Sequence, residues 1–210
     1  MPLVSAATFR ALALPQISGA DQDTTLEGIL DRADTILATY CGIILASSAS
    51  RRTFQSQTYV EHLNGHGSRE LHLGAVGVSS ITSIYDSPDW GYGSSDLVDS
   101  GDYVLDAEGQ QNTVYLIPTG AHGSFSDQDA RVIKATYVAG YADDSAPDDI
   151  EHAIVEMAKL LYKGPDRRGL TSRSGKGGSR GLISDVSTRL MIPLEIQQLI
   201  SPYVLPRAIL

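Results

Sequence analysis

The chain has 210 residues, a formal net charge of −9, 42% hydrophobic residues and a single cysteine. A chain of this size is one domain, or a domain with a sizeable insertion, and buries roughly 70% of its unfolded surface, so a real core is expected. The acidic balance argues against general affinity for nucleic acid, the lone Cys41 excludes an intrachain disulfide, and no run reaches the ~18 apolar residues of a membrane span.

Residues 4–13 read as a short helix with Ser5 near its start, ending before Pro15. They lack the basic start and apolar core of a secretory leader, so a soluble protein made in a cytoplasm is expected. A stronger helix is predicted over 23–40. Leu26, Ile29, Leu30, Ala33, Ile36, Leu37 and Tyr40 fall on one face, and Glu27, Asp31, Arg32 and Asp34 are expected to point away. Cys41-Gly42 supplies the stop. As a lone residue near a helix end, Cys41 reads as a small buried hydrophobe.

From 51 to 138 the pattern turns to β. Residues 53–62 are rich in β-branched and aromatic types, and Asn64-Gly65 after them predicts a hairpin turn. Further strands are expected at 70–73, 79–85, 103–105, 113–117 and 131–138, separated by turn residues such as Asp86-Ser87-Pro88-Asp89 and Glu108-Gly109. Short strands at this spacing suggest a small antiparallel sandwich or barrel.

The junction after the last strand carries the clearest signals. The strand reaches Tyr137-Val138-Ala139-Gly140-Tyr141, crosses an acidic turn, and meets a helix start in which Ser145 is the expected N-cap and Pro147 suits the first turn. Asp148, Asp149 and Glu151 complement the positive end of the helix dipole. Ile150, Ala153, Ile154, Met157, Ala158 and Leu161 then recur at helical spacing as far as Tyr162. Residues 164–181 are Gly, Ser and Arg-rich and read as a mobile basic loop. A last helix is predicted from Pro193 to near Ser201-Pro202, followed by an apolar tail.

Charge is unevenly placed. Residues 86–151 hold 14 acidic against two basic residues, a net of −12, whereas 163–180 hold six basic against one acidic, a net of +5. The basic loop is either a solvated linker or a segment that orders on an acidic partner or DNA phosphates, anchored by Arg167, Arg168, Arg173, Lys176 and Arg180. The tail residues Tyr203, Val204, Leu205, Ile209 and Leu210 either fold back on the chain's own core or dock on another subunit. Burial is favoured by ~1.5–3 kcal/mol for each large side chain.

Catalytic chemistry finds little support. A Ser-His-Asp reading needs arbitrary choices among many serines and five histidines. His62 and His66 flank the Asn64-Gly65 turn, and His152 has no histidine partner at helical spacing, so packing or surface roles are expected. The Asp-rich pieces lack the Gly and terminal Glu of a calcium loop. Residues 174–179 fail as a phosphate loop, with Leu170 in place of the first Gly and Gly177 in place of the Ser or Thr after Lys176. No enzyme activity, cofactor or metal is expected.

Several stretches together resemble the head-tail connector (adaptor, or head-completion) proteins of tailed bacteriophages. They are the helix with Ile29-Leu30-x-x-Ala33-x-x-Ile36, the β insertion after it, and the Tyr137-Val138-Ala139-Gly140-Tyr141 strand end. The Pro147-x-x-Ile150-x-x-Ala153-Ile154 helix and the closing Ile192-Pro193-Leu194-Glu195-x-x-x-Leu199-Ile200-Ser201-Pro202-Tyr203 complete the match. The resemblance covers most of the chain as an ordering of elements.

It implies an α+β fold, a helical bundle core built from N-terminal and C-terminal helices with an inserted antiparallel β-sandwich or barrel-like region. The expected units are 1–50 (first helices), 51–141 (inserted β domain), 142–201 (last helices, with the basic loop 164–181) and 202–210 (apolar tail). The implied role is structural: a dodecameric ring in the virion neck, formed from subunits in the host cytoplasm. That ring joins the portal protein to a stopper or tail-completion protein and lets genomic DNA pass without specific binding. The alternative from a different class is a β-sandwich binding module that recognises a glycan or host surface, for which Tyr85, Trp90 and Tyr92 are the aromatic candidates.

Overall fold

Ser5 opens the chain's first helix. Its Oγ accepts the N–H of Thr8 at 3.1 Å, capping α1 (Ala6–Ala13) and satisfying one of the donors that a helix start leaves orphaned. The computed structural model describes residues 2–13, 22–106, 112–128, 131–143, 145–162 and 192–205.

Helix α2 (Asp23–Tyr40) buries Leu26, Leu30, Ala33 and Leu37 as its periodicity requires. It ends in a paired closure: Gly42 N–H donates to Thr39 O at 3.2 Å and Ile43 N–H to Ala38 O at 3.1 Å, with Gly42 at φ +81°. A residue with a Cβ is strained there. Helix α3 (Asp148–Tyr162) lies mainly on α2 and on α4 (Leu194–Ile200), and α1 closes on α2 and α3. The Pro147 carbonyl accepts the first bond of α3, from Glu151 N–H at 3.2 Å, so Pro147 stands one place before the first turn. Ser145 does not cap α3. Its hydroxyl instead donates to Ala142 O at 2.9 Å and closes the acidic turn.

Among the described residues the β region forms two three-stranded antiparallel sheets, and no closed barrel. In the first, β1 (Gln57–Leu63) and β3 (Val78–Asp86) flank β6 (Ile133–Ala139), with two register shifts between β3 and β6. In the second, β2 (Glu70–His72) and β4 (Tyr103–Leu105) flank β5 (Thr113–Leu116). Both sheets and the helices bury side chains in one continuous core, including Phe9, Leu30, Phe54, Tyr59, Ile84, Val114, Tyr137 and Ile154.

The hairpin expected at Asn64-Gly65 does not form, because β1 pairs with β6 and β2 with β5. Those two residues are held by a distant segment instead. Asn64 Oδ1 accepts Arg131 N–H at 3.0 Å and Gly65 N–H donates to Gln128 O at 2.9 Å. A Cβ on Gly65 would stand 1.9 Å from Ser126 O, so the glycine serves a close backbone approach and not a reversal.

Candidate assembly surfaces

Three places in this fold join parts that are far apart in sequence, and each positions a different surface. The first links the helices to the β region. Asp34 was expected on the exposed face of α2, yet its side chain is 1% exposed. Its carboxylate accepts the Thr53 hydroxyl and the Phe54 N–H, the latter at 3.0 Å. Arg51 lies alongside, 3.5 Å from Asp34 and 2.7 Å from Asp31, while also donating to the Asp31 carbonyl. Burial, opposed by the Phe54 and Thr53 hydrogen bonds and by Arg51, holds the Asp34 carboxyl above its ordinary range. This correction has a simple cause: the chain re-enters the core at Thr53-Phe54 with donors unmet, and Asp34 is the acceptor that meets them.

The second lies at the chain's C-terminal side. Leu205 N–H donates to Cys41 O at 2.9 Å, and the Leu205 side chain is buried in the chain's own core. Tyr203 and Val204 are partly buried against the same core. Burial, with a lesser contribution from the nearby Tyr203 hydroxyl, pushes the Tyr141 phenol up to about 12. Cys41 is fully buried, and burial pushes its thiol up to about 12, far from the thiolate a nucleophile requires. Of the expected partner-binding residues, Arg167, Arg168, Arg173, Lys176, Arg180, Ile209 and Leu210 lie outside the described residues. Gly177-Gly178-Ser179-Arg180-Gly181, which spells a Gly-x-Ser-x-Gly spacing, lies outside them too. The spacing has catalytic meaning only on a strand-to-helix turn, and no β-type run precedes it in the sequence.

The third is the end of the first sheet. His62, Lys134 and Tyr85 stand in register across β1, β6 and β3. The Lys134 ammonium lies 5.8 Å from the Tyr85 ring and 5.4 Å from the Tyr92 ring. Tyr92 meets His62 edge-on at 5.4 Å, and its hydroxyl donates to Arg131 O at 2.8 Å. Desolvation and the charges of Lys134 and Arg131 depress His62 below its ordinary range. Tyr85 and Tyr92 are thus engaged by Lys134, whereas Trp90 is 60% exposed. Nearby, Asp86 Oδ2 accepts Ser126 N–H at 2.9 Å and lies 3.0 Å from His122 Nε2, at the edge of a depression of about 500 Å³. Among the described residues no group of three or more His, Cys, Asp or Glu is placed to hold a metal ion. Nor is any helix among them long and apolar enough to cross a membrane.

Neither a protein-family model nor a curated protein matches the chain. Solved structures do. A chain in the neck of an empty gene transfer agent particle, computed with C6 symmetry, superposes at a TM-score of 0.55 and 14% identity, over 99% of this chain and 91% of that one. A chain in the neck of the native particle, computed with C12 symmetry, matches at the same score and identity over 96% and 88%. So does a chain in the virion of the native particle, over 99% and 91%. The fold is one found in particle necks. At 14% identity the likeness establishes a shared α+β fold and no side-chain role.

Proposed function

We propose that this chain is a structural subunit of a phage-type particle neck, and specifically an adaptor. In this reading its copies form a ring of twelve under the portal. The ring extends the DNA channel and offers its far side to a stopper or tail-completion protein. The observation that carries the proposal is the shared fold over nearly the whole of both chains, with a neck solved in C12 symmetry among the matches. Fold alone does not assign function. The acidic stretch adds physical sense, since a net of −12 over 86–151 repels the phosphates of DNA that must slide past. The chain does no chemistry of its own and takes no cofactor.

Within the ring, 1–50 and 142–201 supply the helical part and 51–141 the inserted β domain. The loop 164–181, through Arg167, Arg168, Arg173, Lys176 and Arg180, and the tail 202–210 make contacts with the portal or with neighbouring subunits. Leu205 is buried on its own chain with Tyr203 and Val204 packed beside it, so in this reading the exposed parts of Tyr203 and Val204, with Ile209 and Leu210, make the contact. The subunits are made in the host cytoplasm and end in the virion neck. Assembling particles without this chain tests the proposal: filled heads that lack tails and leak DNA are expected, and intact tailed particles would overturn it.

A further inference from the structure

Within the acidic stretch 86–151 the only two basic residues are Arg131 and Lys134, and the fold brings them to one place. They stand at the start of β6 beside His62, under Tyr92 and next to Tyr85. Neither cation has a carboxylate within ion-pair distance among the described residues. A second, independent observation marks the same spot. Trp90 (φ +60°), Tyr92 (φ +46°) and Arg131 (φ +55°) are the non-glycine residues with left-handed backbone among those described, and all three border Lys134 or its aromatic partners. Such backbone costs energy and persists where the surrounding structure over-determines it, often at binding sites. Trp90 is 60% exposed in the same turn as Tyr92, whose ring Lys134 faces.

We infer that this cationic and aromatic patch is one half of the contact between neighbouring copies, and that its partner is the acidic first turn of α3 on a second copy. The inference rests on the ring reading. Asp148 and Asp149 are exposed there and border a depression of about 340 Å³ between α1, α3 and α4, floored by Val155 and Leu199 and edged by Leu12, which is 63% exposed. Charge therefore matches, the two cations facing Asp148 and Asp149 with Glu151 lining the same depression, and the exposed indole has Leu12, Val155 and Leu199 to pack on. The two surfaces lie toward opposite ends of β6, which advances roughly 3.3 Å per residue, so one copy cannot satisfy itself and the contact is head-to-tail. DNA is the less favoured anion. Asp89 and Asp96 stand in the same turn as Trp90 and Tyr92, their carboxylates held by the Ser87 hydroxyl, and they repel a polyanion more than a pair of protein carboxylates.

Assembly of the full chain on portal complexes, read by light scattering and negative stain, tests this. Arg131→Glu with Lys134→Glu, and separately Asp148→Lys with Asp149→Lys, should each weaken ring formation by about ten-fold or more, and the four changes together should restore it. Wild-type-like assembly of either pair, or no recovery in the combination, overturns the contact. Should a reversal fail to fold, Arg131→Cys with Asp149→Cys gives the second test: disulfide-linked ladders are expected in the ring, and none would overturn the contact. A wild-type chain that forms no ring overturns the ring reading and the contact with it. Rings that persist while Arg131→Glu with Lys134→Glu abolishes binding to a DNA duplex assign the patch to DNA and overturn the contact alone.

Discussion

Asp34, on the helix that begins the fold, accepts the backbone N–H of Phe54 at 3.0 Å, where the chain turns from helix into sheet. The same carboxylate takes the Thr53 hydroxyl and faces Arg51. One buried charge therefore fixes how the helical part meets the β region. Asp34→Ala strands the Thr53 hydroxyl, the Phe54 N–H and part of the Arg51 charge, and should cost roughly 2–4 kcal/mol in chemical denaturation. A loss below ~0.5 kcal/mol, the size of an ordinary surface change, would contradict this role.

The pH dependence has a definite sign. Burial raises the folded-state Asp34 carboxyl above the ordinary aspartate value of 3.8, so the folded chain holds that proton more tightly than the unfolded one. Its contribution to stability falls as pH rises through the folded value and grows as pH drops toward 3.8. Wild type should therefore gain on the Asp34→Asn variant over that acidic window. Glu61, also raised by burial while accepting Gly74 N–H and the Tyr137 hydroxyl, is common to both proteins and cancels. Parallel stability curves for the two proteins would refute the assignment.

Glycine substitutions separate close approach from ordinary helix. Gly140 sits at φ +96°, and a Cβ there would lie 2.3 Å from Gln55 O, so Gly140→Ala should destabilise by about 1–3 kcal/mol. Gly28 lies exposed on α2 with nothing near its would-be Cβ, so Gly28→Ala should stabilise by about 0.5–1 kcal/mol. Thermal melts of the two variants should move in opposite directions.

Leu205 and Cys41 predict a chemical readout. A maleimide should leave the buried Cys41 thiol unmodified in the native chain and label it on unfolding. Leu205→Ala, which empties a buried site over Gly42 and cuts about 2–4 kcal/mol from stability, should speed that labelling. Equal labelling rates in the two proteins would mean that the tail does not seal this end of the core.

Charge at the basic loop gives a test of portal contact. Replacing Arg167, Arg168, Arg173, Lys176 and Arg180 with alanine should weaken portal binding and flatten its dependence on salt, because screening acts on exposed pairs. Removing 203–210 should abolish that binding while a less stable monomer remains folded. Unchanged binding in both variants would remove loop and tail from the contact.

Much of this fold was legible because long-period patterns and turn chemistry agree with it. The α2 face from Leu26 to Leu37, the strand at 103–105 and the Pro147-led helix stand where their patterns place them, and the strand expected at 131–138 forms at 133–139. The misses share a cause. Asp34 looks like a surface carboxylate until Thr53 and Phe54 arrive from 19 and 20 residues away, and Asn64-Gly65 looks like a hairpin until Gln128 and Arg131 claim it. Pairing of β1 and β3 with a strand whose registered partners lie 47 to 82 residues later leaves no local mark. The patch around Lys134 was hidden for the same reason, although two cations alone within 14 acidic residues were a visible signal.

The most direct measurement is the mass of the purified chain by light scattering, alone and mixed with portal complexes, with negative-stain images of any assembly. The neck-adaptor account predicts a ring, either preformed or built from monomers on the portal. A chain that stays monomeric and ignores the portal would contradict it.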